Sequence, residues 1–350
     1  MASQIEKQDI LAVSEKEIMK SLYGSKVLIT GATGLIGSFY VKCISHLNKT
    51  QGANIALYLV VRNIKKANAL FSSLNDENIN YIESDVCDLK EIDFDVDYII
   101  HGASITNSKM MVTNPVETID IAINGTENML NIAREQKNLK AFLYMSSLEV
   151  YGVTDPSLKV IDETDYGYID QLNVRSSYSL GKRMVECICA SYASEYGVPV
   201  KIVRLTQTFG AGVDYNDGRV FADFARCIIE KRNIILHTKG ETVRNYCYLT
   251  DAVTALTTVL VRGEIGEAYN VANEYTGISI YDMAQMLCRI YPESGSSVII
   301  EDNGNAAKMG YNPTIKVVLS TEKLRSLGWQ ADVGIEDMFK KLISDMTDSK

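Results

Sequence analysis

Histidine, proline and tryptophan are scarce in this 350-residue chain: three, five and one. No histidine lies near another or near a cysteine pair, so the ligand spacing of a zinc site is missing. The seven cysteines include no C-x-x-C, and their odd number argues against a disulfide framework. With few prolines and no Gly/Ser-rich stretch there is no flexible linker, so the parts of the chain are expected to pack together. Apolar runs stop at strand length, as at residues 55–61, well short of the ~20 a membrane helix needs. Residues 1–8 carry charges and no apolar centre, against a secretory signal. Basic runs are absent as well. Lys and Arg number 35 against 44 Asp and Glu, a net charge of −9, which disfavours nucleic acid and anionic membranes as partners. These absences point to a cytoplasmic, metal-free protein.

What is present is an ordinary globular composition, 46% hydrophobic and 23% charged, long enough for about two domains. Residues 1–24 form an extension whose apolar positions (Ile10, Leu11, Val13, Ile18, Met19, Leu22) fit a short amphipathic helix leaning on the domain behind it. Strands are predicted at 27–29, 54–61, 79–83, 96–100, 142–145 and 200–205, and helices at 35–47, 64–74, 115–136 and 178–196. Such alternation means an α/β fold, a Rossmann-type doubly wound parallel sheet with helices on both faces, over 25–206. Beyond it the rhythm loosens. Short strands at 234–237, 268–271, 298–300 and 315–319 mix with helices near 219–231, 250–262, 279–290 and 321–327. Residues 207–350 therefore read as a smaller mixed α/β part, mainly substrate-binding.

Directly after the first strand comes Thr30-Gly31-Ala32-Thr33-Gly34-Leu35-Ile36-Gly37. In a strand–loop–helix setting Gly31 suits the tight turn, Gly34 lets backbone approach a pyrophosphate, and Gly37 lets the helix pack on its strand. The helix N-terminus then faces the phosphates. The alternative is a glycine-rich turn with no ligand. The second strand ends on Arg62 rather than the acidic residue usual for NAD, which suits a 2′-phosphate and favours NADP slightly. A solvated basic loop is the competing reading. Asp85, after the third strand, is placed to meet the adenine amine or is simply a surface residue.

Tyr178 and Lys182 lie one helical turn apart on one face. A nearby ammonium favours phenolate, so Lys182 is expected to lower the Tyr178 pKa from ~10 towards neutrality and make it a general base. Ser147 follows the fifth strand, at the sheet edge where such folds bind ligands. Period-two spacing places Glu149 on its face, with Leu148 turned away.

These segments together resemble the extended short-chain dehydrogenase/reductases, of the NAD(P)-dependent nucleotide-sugar epimerase/dehydratase type. The resemblance runs from Lys26 to about Trp329. It rests on the glycine loop, His101-Gly102-Ala103-Ser104, Asn124-Gly125-Thr126-x-Asn128, Ser147 with Val150-Tyr151-Gly152, the Tyr178–Lys182 pair, 204–210 and the Arg244 segment 244–251. It implies a tightly bound NAD or NADP held by Gly31, Thr33, Gly34, Leu35, Ile36, Gly37, Arg62, Asp85, Val86, Ala103 and Lys182. It implies catalysis by Ser147, Glu149, Tyr178 and Lys182, and nucleotide-sugar contacts from Ser104, Gln207, Arg219, Val220 and Arg244. Arg244 would pair with the diphosphate. Gln207 replaces the family's usual asparagine, which puts the local hydrogen bonding in question. A homodimer through the helices at 115–136 and 178–196 is also implied. On the second of these, Met184, Val185, Ile188, Cys189 and Tyr192 make more apolar surface than one sheet contact needs.

In this family, reaction begins with oxidation at sugar C4, the cofactor supplying the redox chemistry. Glu149 stands where dehydratases and UDP-glucuronate decarboxylases carry glutamate; epimerases carry a small or hydroxyl residue there. Leu148 replaces the aspartate that serves dTDP-glucose dehydratases as acid. Decarboxylation or 4,6-dehydration is therefore the leading expectation, and 4-epimerisation the alternative. Glu149 as a structural carboxylate, and the whole chain as a non-catalytic dinucleotide-binding regulator, complete the set. The intact Ser147, Tyr178 and Lys182 count against the regulator.

Overall fold

The computed structural model describes residues 3–301 and 314–348. Helix α1 (Gln4–Ser14) and a 3-10 turn (Glu17–Leu22) precede β1 (Lys26–Thr30). Then follow α2 (Leu35–Gln51), β2 (Ala56–Val61), α3 (Ile64–Phe71), β3 (Ile79–Glu83), β4 (Tyr98–His101), α4 (Ser108–Thr113), α5 (Pro115–Glu135), β5 (Ala141–Ser147), α6 (Ser176–Tyr196) and β6 (Val200–Leu205). The remainder contributes β7 (Gln207–Phe209), α7 (Val220–Ile229), β8 (Ile234–Leu236), β9 (Val243–Tyr248), α8 (Leu249–Arg262), β10 (Ala268–Val271) and β11 (Asn273–Ser279). The last elements are α9 (Ile280–Ile290), β12 (Val298–Ile300), β13 (Lys316–Val317), α10 (Glu322–Ser326) and α11 (Ile335–Asp348).

Seven parallel strands form the central sheet in the order β3-β2-β1-β4-β5-β6-β10. Its inner strands are apolar on both faces because both are covered. On one side β1, β2 and β5 pack with α1, α2, α3 and α8 through Val13, Phe39, Tyr40, Phe71 and Leu256. On the other, Leu28, Ile99, Phe142 and Tyr144 meet Met129 of α5 and Val185 and Cys189 of α6. Since β1 lies between β2 and β4, the strand order reverses there, and a crevice opens at the carboxyl ends of β1 and β4.

One element departs from the sequence reading. Strand 268–271 was expected in the smaller part, yet it completes the central sheet beside β6, with α8 returning to cover that sheet. The chain crosses into the smaller part and comes back, a return that local pattern does not encode.

That smaller part holds a sheet in which β9 lies between β11 and the pair β7 and β13. Its core gathers Phe209, Phe221, Phe224, Tyr246, Met283, Leu287, Phe339 and Leu342. Helix α11 was not anticipated, although Met338, Phe339, Leu342, Ile343 and Met346 recur at helical spacing on its buried face. Among the described residues no helix is long and apolar enough to cross a membrane.

Candidate active site

The glycine loop lies at the crevice between β1 and β4. Gly31 has φ +72°, and a Cβ there would sit 2.6 Å from the Gly102 carbonyl carbon. A Cβ on Gly37 would lie 2.4 Å from the Gly31 oxygen, so both positions are closed to side chains by the chain itself. Gly34 differs. Its nearest neighbour would be the Gly31 oxygen at 3.3 Å, and as the residue capping α2 it offers no side chain to the first helical N–H groups. Open backbone donors at a helix start suit a phosphate. Thr33, Leu35 and Ile36 flank this cradle.

Thr30 ties the loop to β4. Its hydroxyl accepts the N–H groups of Gly102 and Ala103 at 3.2 and 3.1 Å and lies 2.7 Å from His101 Nδ1. The Thr126 hydroxyl donates to the Ala122 carbonyl, so it must accept from His101 Nε2 at 3.0 Å. Nδ1 therefore receives the Thr30 proton. Burial, helped by the Lys182 charge, pushes His101 down to about 3, keeping it a neutral strap between β1, β4 and α5. Ala103 and Ser104 leave β4 at the mouth of the crevice.

At the far end, Arg62 Nη1 approaches Asp85 Oδ2 at 3.7 Å, with the arginine side chain 65% exposed. Asp85 Oδ1 accepts the Cys87 N–H at 2.9 Å, and the carbonyl of buried Val86 accepts from Asn128 at 3.0 Å. The structure thus brings Arg62 and Asp85 to one edge, where the adenosine end of a dinucleotide lying on the glycine loop would reach.

Ser147, Glu149, Tyr178 and Lys182 converge at the carboxyl end of β5. The strand stops at Ser147, whose hydroxyl accepts the Glu149 N–H at 3.2 Å and starts a 3-10 turn over Leu148–Tyr151. This corrects the expected strand alternation: a side-chain cap bends the chain and aims Glu149. Leu148 is buried with Val150, Ile161, Ala272 and Leu319 in a satellite core. Arg183 of α6 holds the turn from outside through the carbonyls of Val150 and Gly167, at 2.5 and 2.7 Å.

The expected effect of Lys182 on Tyr178 is also corrected. Lys182 Nζ donates to the Met145 carbonyl at 2.7 Å and lies 4.6 Å from the Tyr144 ring centroid but 5.7 Å from that of Tyr178. Burial first, then the Glu149 charge, pushes the Tyr178 phenol upward, while the Ser147 hydroxyl and Arg175 pull it down. Burial lowers Lys182 itself to about 8. The reading from spacing alone omitted the cost of desolvating a phenolate.

Sequence reasoning missed Arg175. It forms a bidentate pair with Glu149, Nη1 to Oε2 at 3.1 Å and Nη2 to Oε1 at 2.8 Å, and Ser179 Oγ donates to Oε2 at 2.9 Å. Its position three residues before Tyr178 was the available signal.

Arg244, Gln207, Arg219 and Val220, the expected substrate contacts beyond β6, belong to the smaller part. Arg244 projects from β9, and its Nε is buried without a partner among the described residues. Gln207 stands on the adjoining β7, opposite Tyr246. Arg219, before Val220 at the start of α7, is gripped by Asp217 at 2.6 Å and lies over the Phe221 ring. Of Arg219 and Arg244, it is Arg244 that presents an unpaired buried donor, the arrangement an anionic diphosphate would satisfy.

Residues 27–272 match the family described as NAD dependent epimerase/dehydratase. A mouse dTDP-D-glucose 4,6-dehydratase is 27% identical over 92% of this chain and 88% of its own. UDP-glucuronic acid decarboxylase 1 of Xenopus tropicalis is 29% identical over 91% of this chain and 71% of its own. The crystal structure of UDP-glucose 4-epimerase with UDP-glucose from Thermotoga maritima superposes with a TM-score of 0.73 over 93% of this chain and 99% of its own, at 20% identity. That likeness shows the fold.

Proposed function

The chain belongs to the NAD-dependent epimerase/dehydratase family, and on that premise we propose that it oxidises a nucleotide sugar at C4 and then eliminates from the resulting ketone. Decarboxylation of a UDP-hexuronate is the leading reaction and 4,6-dehydration the second. When bound, the dinucleotide supplies the hydride acceptor. Tyr178 takes the O4 proton and Ser147 holds the reacting oxygen. Arg244 binds the diphosphate. A C4 ketone makes C5 the reactive carbon, where a carboxylate leaves as carbon dioxide with its bonding electrons drawn towards O4. Glu149 manages the proton that C5 then takes up, and return of the hydride to C4 completes the pentose.

The observation that carries this reading is Glu149 beside the Ser147–Tyr178 pair while Leu148 is turned into a core. Dehydration needs an acid for the departing hydroxyl, and Leu148 provides none. Decarboxylation needs none. One observation favours a 4-epimerase instead: Glu149 is tied to Arg175 and Ser179, as a structural carboxylate would be.

Incubation with UDP-glucuronate, dTDP-glucose and UDP-glucose, followed by product identification, separates the readings. A UDP-pentose is expected. Clean interconversion of UDP-glucose and UDP-galactose, with UDP-glucuronate untouched, would overturn the ranking. The proposed cofactor is NAD or NADP, NADP being slightly favoured by Arg62; the proposed quaternary state is a homodimer and the proposed location the cytoplasm.

A further inference from the structure

Both side-chain oxygens of Glu149 are held. All three of its side-chain donors come from one short stretch, Arg175 and Ser179 on either side of Tyr178. A planar guanidinium taking both carboxylate oxygens fixes orientation as well as charge. The pair is only partly open to solvent, at 20% and 27% side-chain exposure, so its charges are incompletely screened.

Four charged or titratable groups face the Tyr178 phenol. Glu149 comes from the turn after β5, Tyr144 from β5, Lys182 from the phenol's own helix and Arg175 from the residue just before that helix. Tyr144 is buried and uncharged, its phenol pushed well above its ordinary value by burial. Lys182 is directed to the Met145 carbonyl. Glu149 and Arg175 are the opposed pair, one pushing the phenol up and the other pulling it down. A base that must become anionic beside a carboxylate needs that carboxylate neutralised.

We propose that Arg175 is a positioning residue for the C4 oxidation: by holding both oxygens of Glu149 it aims and neutralises that charge, leaving Tyr178 able to accept and carry the substrate proton. The inference rests on the reading of Tyr178 as the proton acceptor.

The test uses the full-length, cofactor-loaded protein. Single-turnover C4 oxidation is followed against pH by trapping the 4-keto sugar with borodeuteride, for wild type, Arg175→Met, Arg175→Lys, Glu149→Gln and the Glu149→Gln/Arg175→Met double variant. Losing an opposite charge within a few ångströms moves a pKa by about 1–3 units. For Arg175→Met the rising limb is expected to move up by about one pH unit, giving roughly tenfold slower oxidation at neutral pH that recovers in alkali. Arg175→Lys keeps the charge and should hold the limb near wild type at a reduced rate. The double variant, lacking both charges, should return it.

Urea unfolding of the same set gives a second readout: the two single losses should be non-additive in the double variant. Additive losses overturn the pairing, and this holds for Arg175→Lys combined with Glu149→Gln should Arg175→Met not fold. A loss for Arg175→Met that is equal at every pH overturns the positioning role while leaving Tyr178 as base. Wild type that oxidises no nucleotide sugar at all overturns the functional reading and this inference with it.

Discussion

At the scale of single residues, the site is a contest between burial and charge. Tyr178 stands partly buried beside Glu149, and both influences oppose the phenolate. Ser147 and Arg175 oppose them in turn. Positioned general bases contribute typically ~10²–10⁴-fold, so Tyr178→Phe is expected to slow turnover by about that factor while cofactor content, measured after extraction, stays unchanged; near-full activity would remove Tyr178 from the mechanism. Arg62 is a simpler case. It is largely exposed and only loosely associated with Asp85 at 3.7 Å, which leaves it able to meet a 2′-phosphate. Titrations with both dinucleotides are expected to show tighter NADP binding in wild type and the reverse in Arg62→Asp. Unchanged preference would mean that Arg62 serves only Asp85.

Among elements, α1 has more to do than its short amphipathic pattern announces. Ile10 and Val13 pack against the main core, but the same helix also carries a fully buried Asp9. Its carboxylate accepts from Tyr248 at the end of β9, at 2.6 Å, and from Lys341 of α11, at 2.5 Å. Glu6 pairs with Lys42 of α2, the helix begun by the glycine loop. One helix thus joins the cofactor cradle, the strand bearing Arg244 and the C-terminal helix. Breaking a buried pair by removing one partner costs ~3–5 kcal/mol, reduced here because Lys341 is a third exposed. Asp9→Ala is therefore expected to lose about 2 kcal/mol in urea unfolding; a change within about 0.5 kcal/mol would show α1 to be an accessory. Helix α6 has a comparable organising part. It carries Tyr178 and Lys182, grips Glu149 through Ser179, and holds Arg204 through buried Glu186.

For the whole molecule, the surface left by α5 and α6 bears on assembly. The apolar stripe read on α6 is partly internal: Val185 and Cys189 are buried against the sheet, and Tyr192 donates to Asn131 of α5. Met184 remains 52% exposed on α6, as do Ile119 at 41% and Val116 at 79% on α5, the helix packed beside it. A homodimer across these helices is the expected state, isologous as such interfaces are. Light scattering should give about twice 38.9 kDa, and Met184→Asp should weaken the dimer; a wild-type monomer at micromolar concentration would contradict it. Much of this protein was legible in the sequence because it is local. Apolar runs of strand length, helical periodicity and a glycine loop after β1 are set by neighbours in the chain, and so the parallel sheet and the places of Ser147, Tyr178 and Lys182 were visible. Tertiary structure alone decided that residues 268–271 return to the central sheet, that the Ser147 cap turns Glu149 towards Arg175, and that Lys182 gives its hydrogen bond to the Met145 carbonyl. Each depends on burial or on a partner distant in sequence. Spacing along a chain fixes which face a residue occupies, whereas desolvation and long-range pairing fix what its charge does there.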